Sequence, residues 1–277
     1  MTTIAITGAT GNVGRAVAEH LAGTPADLRL VVRDASRAPD LAADVAQTGY
    51  GDRAAAARAL RGVDVLLMVS AAESADRLQQ HRTFVDAAAE AGVRHVVYTS
   101  FLGASPDATF TLARDHWATE QHLRGSGMAW TFLRDSFYLD FLPALAGPDD
   151  VIRGPAGDGR VGAVARADVA RSAAAVLAAP DDHAGQTFDL TGPAALTLEE
   201  AAAIITEVTG RPTTYHRETV DEAYASRRQY DAPDWQLDAW VSTYTAIAAG
   251  ELAAVTDAVE RLTGRVPVDL RDLLRSS

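Results

Sequence analysis

The stretch that decides the fold is MTTIAITGATGNVG, residues 1–14. Its apolar run at residues 4–6 is typical of a buried strand, and the segment RAVAEHLAG that follows places apolar residues at helical spacing. Gly8, Gly11 and Gly14 lie between them at intervals of three. Glycines between a strand and a helix predict a nucleotide-binding turn, so we expect the chain to be organised around this segment.

Each glycine of this turn has a physical purpose in such a site. Gly8 permits a sharp turn because a residue without a Cβ tolerates backbone angles that others avoid. Gly11 would let a pyrophosphate approach the backbone, and Gly14 would let the helix pack close to the strand. The first helical amides lack internal partners and can donate to an anion. The GxxGxxG spacing differs from the commoner GxGxxG, and loop glycines without a ligand are the alternative.

Composition excludes several classes of function. The chain has 277 residues, 48% of them hydrophobic, which is enough for a sizeable core. Its formal net charge of −12 argues against nucleic-acid or anionic-membrane partners. The absence of cysteine rules out disulfides, thiolate nucleophiles and cysteine-ligated metals, and we predict no metal site. No apolar run reaches about 18 residues, so we expect a cytoplasmic protein without a membrane span or signal peptide.

The first half of the chain alternates strand and helix patterns. Further strands are predicted over residues 28–32, 45–48, 63–69, 94–99 and 128–133. Helices are predicted over residues 34–46 despite Pro39, after Asp52 as an N-cap, and over residues 76–91 and 113–124. This order predicts an α/β fold, a Rossmann-type doubly wound parallel sheet covered on both faces.

The second half is more irregular. Prolines and glycines punctuate the region after Arg134, and the later elements are predicted as helices over residues 168–179 and 198–209 and strands over residues 186–190 and 213–216. Asp168 is expected to cap its helix, and Gly210 to end the next. We predict an NADP-binding domain over residues 1–150, with interleaved segments from residues 151–190, and a smaller, mostly helical substrate region over residues 191–277.

The residue that ends the second strand distinguishes the two nicotinamide cofactors. An acidic residue there binds a ribose hydroxyl, whereas an arginine accommodates a 2′-phosphate. This position is Arg33, and Arg37 lies one helical turn further. Asp34 could bind ribose or cap a helix, and both arginines could be solvated surface residues. We hypothesise that the cofactor is NADPH (NADP) rather than NADH.

Longer blocks of sequence resemble a known family. They are GATGNVG, Arg33 at the end of the second strand, YGD (residues 50–52), QHRTFVDAAAEAGVRHVVYTS (80–100), LRDSFY (133–138) and PAGDGRVGAVARADVA (155–170). Together they resemble the NmrA-like atypical short-chain dehydrogenases, and they are most similar to the type 2 NAD(P)H:quinone oxidoreductases. The resemblance runs from the first strand to about Gly210.

This resemblance implies a set of cofactor contacts. The residues implied to bind NADPH are Gly8, Thr10, Gly11, Asn12, Val13, Gly14 and Arg33, while Ser70, Ala71 and Thr99 line its path. Phe137 and Tyr138 match the aromatic pair beside the nicotinamide. Asp135 stands where the quinone reductase pattern more often has asparagine, and this departure bears on the local polar contacts.

A second departure concerns the proton donor. Ordinary short-chain dehydrogenases use a Tyr-x-x-x-Lys pair, and here Leu112 and His116 fall at those positions. Ser100 remains at the position of the usual serine, without a partner. Reducing a ketone builds a strongly basic alkoxide, but reducing a quinone spreads the charge over a ring and needs little acid. The missing pair therefore favours direct hydride transfer to a quinone or similar planar electrophile.

Three residues are candidates for the catalytic site. Tyr138 could offer a hydrogen bond to the acceptor, His116 could bind the cofactor ribose or donate a proton, and Ser100 would lie beside the cofactor. A packed core aromatic is the alternative for Tyr138, a histidine without a role is the alternative for His116, and a turn residue is the alternative for Ser100.

Two other functions stay open. A non-catalytic NADP-binding sensor of the NmrA type would bind a regulatory protein partner and show no turnover. A reductase of another conjugated carbonyl is the third possibility. A homodimer is compatible with all three.

Overall fold

A computed structural model describes residues 2–276 of the chain. The strands are β1 (Thr3–Thr7), β2 (Asp27–Val32), β3 (Asp44–Gln47), β4 (Val65–Met68), β5 (His95–Phe101), β6 (Ala129–Asp135), β7 (Val151–Gly154), β8 (Arg160–Val161), β9 (Gln186–Leu190), β10 (Leu196–Thr197) and β11 (Thr214–Arg217). The helices are α1 (Asn12–Leu21), α2 (Arg53–Ala59), α3 (Arg77–Glu90), α4 (Thr111–Arg124), α5 (Arg166–Ala178), α6 (Leu198–Thr209), α7 (Val220–Arg227), α8 (Asp234–Ala248), α9 (Ala258–Thr263) and α10 (Leu270–Arg275).

The central sheet has the strand order of a dinucleotide-binding fold. Seven of the described strands form it, in the order β3-β2-β1-β4-β5-β6-β9. β1 pairs in parallel with both β2 and β4, with Ile4 opposite Leu28 on one side and Val65 on the other. The order reverses between β1 and β4, and ligands of such sheets bind beyond the carboxyl ends of the strands at that point. The predicted Rossmann-type parallel sheet is confirmed.

The helix predicted over residues 34–46 is wrong. Only Ala35–Arg37 form a short 3-10 turn, and the chain then bends into β3. Pro39 disfavours helical angles at Ala38, which is extended with a ψ of 139°. Asp34 also binds the backbone N–H of Ser36 at 3.0 Å through its side chain, a local bond that favours a turn.

The two predicted helix caps have different outcomes. Asp52 caps α2, because its carboxylate accepts the N–H of Ala55 at 2.9 Å, as predicted. The cap predicted at Asp168 is wrong: α5 begins two residues earlier, so Asp168 lies inside its first turn. There the buried carboxylate pairs with Arg171. The end of α6 at Gly210, which has a φ of 74°, is confirmed.

The chain forms two compact units, each made of three segments. Within the described residues, unit 1 consists of residues 2–100, 115–134 and 167–188, and unit 2 of residues 101–114, 135–166 and 189–276. Unit 1 has a core of strand and helix residues that includes Phe84, Tyr98 and Phe132. Unit 2 has its own core, which includes Ile152 and Tyr244. The division of cofactor and substrate functions at residues 150 and 190 stays a prediction.

Among residues 2–276, no helix combines the length and the apolar character that crossing a bilayer requires.

Candidate functional site

The backbone of the glycine turn is tightly packed against β1 and β4. Gly8 has a φ of +64°, and a Cβ there would lie 3.1 Å from the side chain of Val69. A Cβ on Gly14 would lie 2.5 Å from the carbonyl oxygen of Gly8. The N–H of Gly11 donates to that same oxygen at 2.8 Å. A side chain at Gly14 would therefore force β1 and α1 apart.

The first turn of α1 can receive an anion. Its N-cap is Gly11, and no side chain caps the helix within the described residues. The first turn carries no acidic residue, and Gly8, Gly11 and Asn12 are exposed. The first amides of the helix therefore point their donors and the positive end of the helix dipole towards solvent. This arrangement fits the diphosphate of a dinucleotide.

Hydrogen bonds hold the carboxyl end of β1 to that of β4. The Thr7 hydroxyl accepts the N–H of Val69 at 2.8 Å and donates to the carbonyl oxygen of Leu67 at 3.1 Å. The Tyr50 hydroxyl donates to the carbonyl oxygen of Val69 at 2.6 Å. Val69 is the residue against which Gly8 packs, so these bonds fix one wall of the turn.

A similar bond joins the ends of β4 and β5. The N–H of Ser70 donates to the hydroxyl of Thr99 at 2.8 Å, which brings together two of the residues predicted to line the cofactor path. Ala71 follows Ser70 and binds two side chains through its backbone. The structure thus gathers Ser70, Ala71 and Thr99 at adjacent strand ends.

Arg33 and Arg37, the residues predicted to bind the 2′-phosphate, are exposed beyond β2. Asp34 lies between them, and its Oδ1 accepts both the hydroxyl of Ser36 at 2.7 Å and its N–H at 3.0 Å. These hydrogen bonds lower the pKa of the Asp34 carboxyl below its ordinary 3.8. One oxygen of Asp34 is thus used by the local turn.

A buried histidine cluster holds the backbone of Ala71. We use this name for Arg77, His81, Tyr98, His116 and Thr119. His81 Nε2 lies 2.9 Å from the N–H of Ala71, so this nitrogen accepts and Nδ1 carries the proton. Nδ1 then donates to the Thr119 hydroxyl at 2.9 Å. Burial, with help from the Arg77 charge, lowers the pKa of His81 to about 3, so the ring is neutral at physiological pH.

His116 completes this cluster. Arg77 donates from Nη2 to His116 Nε2 at 2.8 Å and from Nε to the carbonyl oxygen of Ala71 at 3.0 Å. The other ring nitrogen lies 3.0 Å from the Tyr98 hydroxyl. Burial and the Arg77 charge hold the pKa of His116 well below 6.5. Both nitrogens are engaged by protein groups, and a role in ribose binding or proton donation stays a prediction.

Sequence reasoning missed Arg77. The signal was its spacing: Arg77 and His81 are four residues apart on one predicted helix, so they share a face. Their contact with His116 joins two helices that are separate in sequence.

Ser100, which lacks the usual tyrosine–lysine pair, is hydrogen-bonded to a buried carboxylate instead. Its hydroxyl donates to Oε1 of Glu120 at 2.6 Å. Glu120 is fully buried, and Arg134 donates to it from Nε at 2.8 Å and from Nη2 at 2.7 Å. A two-pronged arginine contact of this kind makes a buried carboxylate tolerable. Ser100 is thereby held in one orientation.

Tyr138 pairs with Asp135 in unit 2. The Tyr138 hydroxyl donates to Oδ2 of Asp135 at 3.0 Å. Burial raises the pKa of Asp135 to about 8, and burial together with Asp135 raises the pKa of Tyr138 well above 10. The guanidinium of Arg166 lies 5.3 Å from the centre of the Tyr138 ring. Phe137 packs near Phe141, at 5.9 Å between ring centres.

The described range, residues 2–276, contains no cluster of three or more histidine, aspartate or glutamate side chains placed to bind a metal ion.

The strand order and the open glycine turn define a Rossmann-type dinucleotide-binding protein. Its sequence matches a family described as NAD(P)H-binding over residues 8–180, and the chain belongs to that family. It is 36% identical to quinone oxidoreductase 2 of Escherichia coli (strain K12) in an alignment that covers 97% of this chain and 96% of the relative. It is 33% identical to NAD(P)H azoreductase of Xenophilus azovorans over 272 residues, covering 95% and 93%.

A solved structure matches the whole fold. It is the NADPH-dependent quinone oxidoreductase QOR2 of Escherichia coli complexed with NADPH, with a TM-score of 0.90, 33% identity and coverage of 99% of both chains. The predicted resemblance, the fold class and the NAD(P)H cofactor are thereby confirmed. The roles of individual site residues stay predictions.

Proposed function

We propose that this protein transfers a hydride from NADPH to a quinone or a similar planar electrophile. The observation that carries the proposal is the open glycine turn before α1, whose first amides have no side-chain cap within residues 2–276 and can donate to an anion. This turn lies in a chain that is 36% identical to a quinone oxidoreductase. The class of NAD(P)H-dependent oxidoreductase is confirmed by near-full-length relatives. The identity of the acceptor and the roles of the individual residues are our proposal.

The cofactor contacts are assigned to unit 1. The residues proposed to hold the diphosphate and its surroundings are Gly8, Thr10, Gly11, Asn12, Val13, Gly14, Ser70, Ala71 and Thr99. Arg33 and Arg37 are proposed to bind a 2′-phosphate, since both are exposed and cationic. When bound, the nicotinamide supplies the hydride.

The acceptor contacts are assigned to Phe137 and Tyr138. Flat aromatic side chains suit a planar acceptor, and the Tyr138 hydroxyl can donate to an acceptor oxygen. Ser100 and His116 are proposed as positioning residues, because both are buried and already bonded to protein groups. A quinone needs orientation more than acid catalysis, which fits the missing Tyr-x-x-x-Lys pair.

The test is NADPH oxidation with a panel of benzoquinones and naphthoquinones, with an azo dye included. We expect turnover with at least one quinone. In the variant Gly14→Ala, the new Cβ must displace the Gly8 carbonyl and so distorts the turn proposed to bind the diphosphate. NADPH binding should therefore weaken about 10- to 100-fold, in line with the cost of about 1–3 kcal/mol for forcing atoms into a packed site. Gly49→Ala is the control, because a Cβ there meets nothing within 4 Å. Absence of turnover above background with every acceptor would remove the proposal.

The cofactor preference has its own test. Arg33→Gln should weaken NADPH binding about 10-fold or more, as expected for losing a charge-assisted hydrogen bond, and leave NADH binding unchanged. Arg82→Gln, on the exposed face of α3, is the matched control. Titration by fluorescence measures both. Tighter binding of NADH than NADPH by the unaltered protein would contradict the preference.

The sensor alternative makes the opposite prediction in the same experiments. A regulator would bind NADP without turnover and would retain a protein partner. The homodimer and the regulatory partner stay predictions, and size-exclusion chromatography with light scattering measures the first.

A further inference from the structure

Asp135 is a buried acid with little to stabilise its charge. It ends β6, and only 3% of its surface is exposed. Its Oδ2 receives one hydrogen bond, from the Tyr138 hydroxyl at 3.0 Å. Its Oδ1 is buried and has no hydrogen-bond partner among residues 2–276. No ion pair reaches this carboxyl within the same residues.

A carboxyl in this position favours its protonated form. Removing an ionised carboxylate from water is strongly unfavourable unless cations or several donors replace the water. The contrast with Glu120 is direct: that buried carboxylate has Arg134 on both oxygens and Ser100 as a third donor. Asp135 has one neutral donor. This deficit agrees with the rise of its pKa to about 8.

The charges around the pair are few. Arg166 lies against the Tyr138 ring, and its backbone N–H donates to Oδ2 of Asp140 at 2.9 Å. Arg166 lowers and Asp140 raises the pKa of Tyr138. The backbone on either side of Asp135 is bonded to Leu102 and Leu190, which bring no charge. Within residues 2–276, the titratable and charged groups that bear on the pair are therefore Asp135, Tyr138, Asp140 and Arg166.

We propose that Asp135 stores the proton that follows the hydride and that Tyr138 delivers it to the reduced acceptor. The inference rests on the proposed function, because it assumes that Tyr138 contacts the acceptor. When Asp135 is protonated, its O–H donates to the Tyr138 oxygen, so the Tyr138 O–H is free to donate to an acceptor oxygen. When Asp135 is ionised, the Tyr138 O–H turns back to it.

The transfer balances as a two-electron reduction. The quinone gains a hydride, which carries both electrons, and becomes a hydroquinone anion. The O–H bond of Tyr138 breaks as a new O–H bond forms on the acceptor oxygen. The O–H bond of Asp135 breaks as Tyr138 recovers its proton. Asp135 is left as a carboxylate and takes a proton from solvent before the next turnover.

The experiment is the pH profile of kcat between pH 6 and 10 with a neutral quinone and saturating NADPH. The unaltered protein should lose kcat above about pH 8, by up to tenfold per pH unit. Asp135→Asn has nearly the same shape and can donate to Tyr138, but it cannot release a proton. We expect its kcat at pH 7 to fall about 10-fold or more and its decline near pH 8 to disappear.

Tyr138→Phe is the second variant. It should lower kcat at pH 7 to a similar degree and also remove the decline near pH 8. Circular dichroism and NADPH titration report whether each variant is folded and binds cofactor as before, so a folding defect is not mistaken for a lost proton. Leu139→Val, beside Tyr138 in sequence, is a packing control that should leave the pH profile unchanged.

Two results would overturn the inference while the proposed function stands. One is turnover by Asp135→Asn at the rate of the unaltered protein. The other is a decline near pH 8 that persists in this variant, since the titrating group would then lie elsewhere. Failure of the unaltered protein to reduce any quinone would instead overturn the proposed function, and this inference with it.

Discussion

The histidine cluster of unit 1 and the Asp135–Tyr138 pair of unit 2 both place a tyrosine hydroxyl beside a buried titratable group. In the cluster, Tyr98 contacts His116, and both nitrogens of each histidine have a partner. In the pair, Tyr138 contacts a carboxyl whose second oxygen has no partner within residues 2–276. All hydrogen-bonding atoms of the histidines have partners in the cluster, which we call the saturated region. One carboxyl oxygen lacks a partner among residues 2–276 in the pair, which we call the incomplete region.

This difference separates a scaffold from a group that can exchange protons. Burial lowers the pKa values of His81 and His116 and raises that of Tyr98, so none of the three titrates near neutral pH. Asp135 has a pKa of about 8 and can change its protonation state near neutral pH. Saturated buried networks make a region rigid, whereas a shifted pKa in an incomplete one marks a functional candidate.

The largest effect is expected from breaking the saturated region. Arg77→Met removes the donor to His116 and to the carbonyl oxygen of Ala71, and it leaves both acceptors buried. We expect a loss of about 3 kcal/mol or more in the free energy of unfolding. Urea unfolding followed by circular dichroism measures it. NADPH binding should weaken as well, because the backbone of Ala71, which is proposed to line the cofactor path, loses the hydrogen bond from Arg77.

The control for this change lies on the same helix. Arg82 is exposed on α3, and Arg82→Met should change the free energy of unfolding by less than about 0.5 kcal/mol. Equal losses in the two variants would show that the cluster contributes nothing beyond helix propensity.

A smaller effect is expected from the incomplete region, and it depends on pH. The pKa of Asp135 rises from an ordinary 3.8 to about 8 on folding. Between these two pKa values the folded protein holds a proton that the unfolded chain has released, so the free energy of unfolding falls as pH rises. The stability is complete below the unfolded pKa, and its loss ends once pH has passed the folded pKa. Between pH 6 and 8 this residue should therefore cost about 2 kcal/mol of stability. Asp135→Asn should lack that loss.

Urea unfolding at pH 6, 7 and 8 compares the two proteins. The difference between them should grow in favour of Asp135→Asn as pH rises. If the difference in free energy of unfolding stayed constant across this range, Asp135 would be ionised throughout. The pair would then not differ from the histidine cluster in its ability to exchange a proton near neutral pH.

The smallest effect comes from removing one hydroxyl in the saturated region. Tyr98→Phe should cost about 1–2 kcal/mol, since His116 loses one partner in a buried site. Its pH profile of kcat should match that of the unaltered protein, unlike the profile of Tyr138→Phe. A profile altered in both variants would remove the distinction between scaffold and proton path.

Local sequence signals predicted most of the fold. The apolar run before Gly8 and the periodic segment after Gly14 predicted β1 and α1, and the sheet followed from the same alternation. The helix over residues 34–46 failed because local bonding by Asp34 and the restriction before Pro39 outweighed helix propensity. The cap at Asp168 failed because α5 begins two residues earlier, so the carboxylate lies within the first turn and pairs with Arg171 three residues further along the same helix.

The buried polar contacts were beyond such reasoning. Ser100 and Glu120 are 20 residues apart, and Arg77 and His116 are 39 apart, so each contact depends on tertiary packing, of a strand against a helix in the first case and of two helices in the second. The departure at Asp135 was visible in the sequence, but its meaning depends on burial and on an oxygen without a partner. Composition and periodicity carry no information on either.

The segmentation of the two units has a practical consequence for protein engineering. Each unit draws on three separate stretches of the chain, and the chain passes between them at residues 100, 114, 134, 166 and 188. A chimera with a relative that is joined at one crossover would mix the two parents inside at least one unit. Under the proposed assignment of the acceptor contacts to unit 2, exchange of acceptor specificity by recombination requires three grafted segments, 101–114, 135–166 and 189–277, rather than a C-terminal replacement.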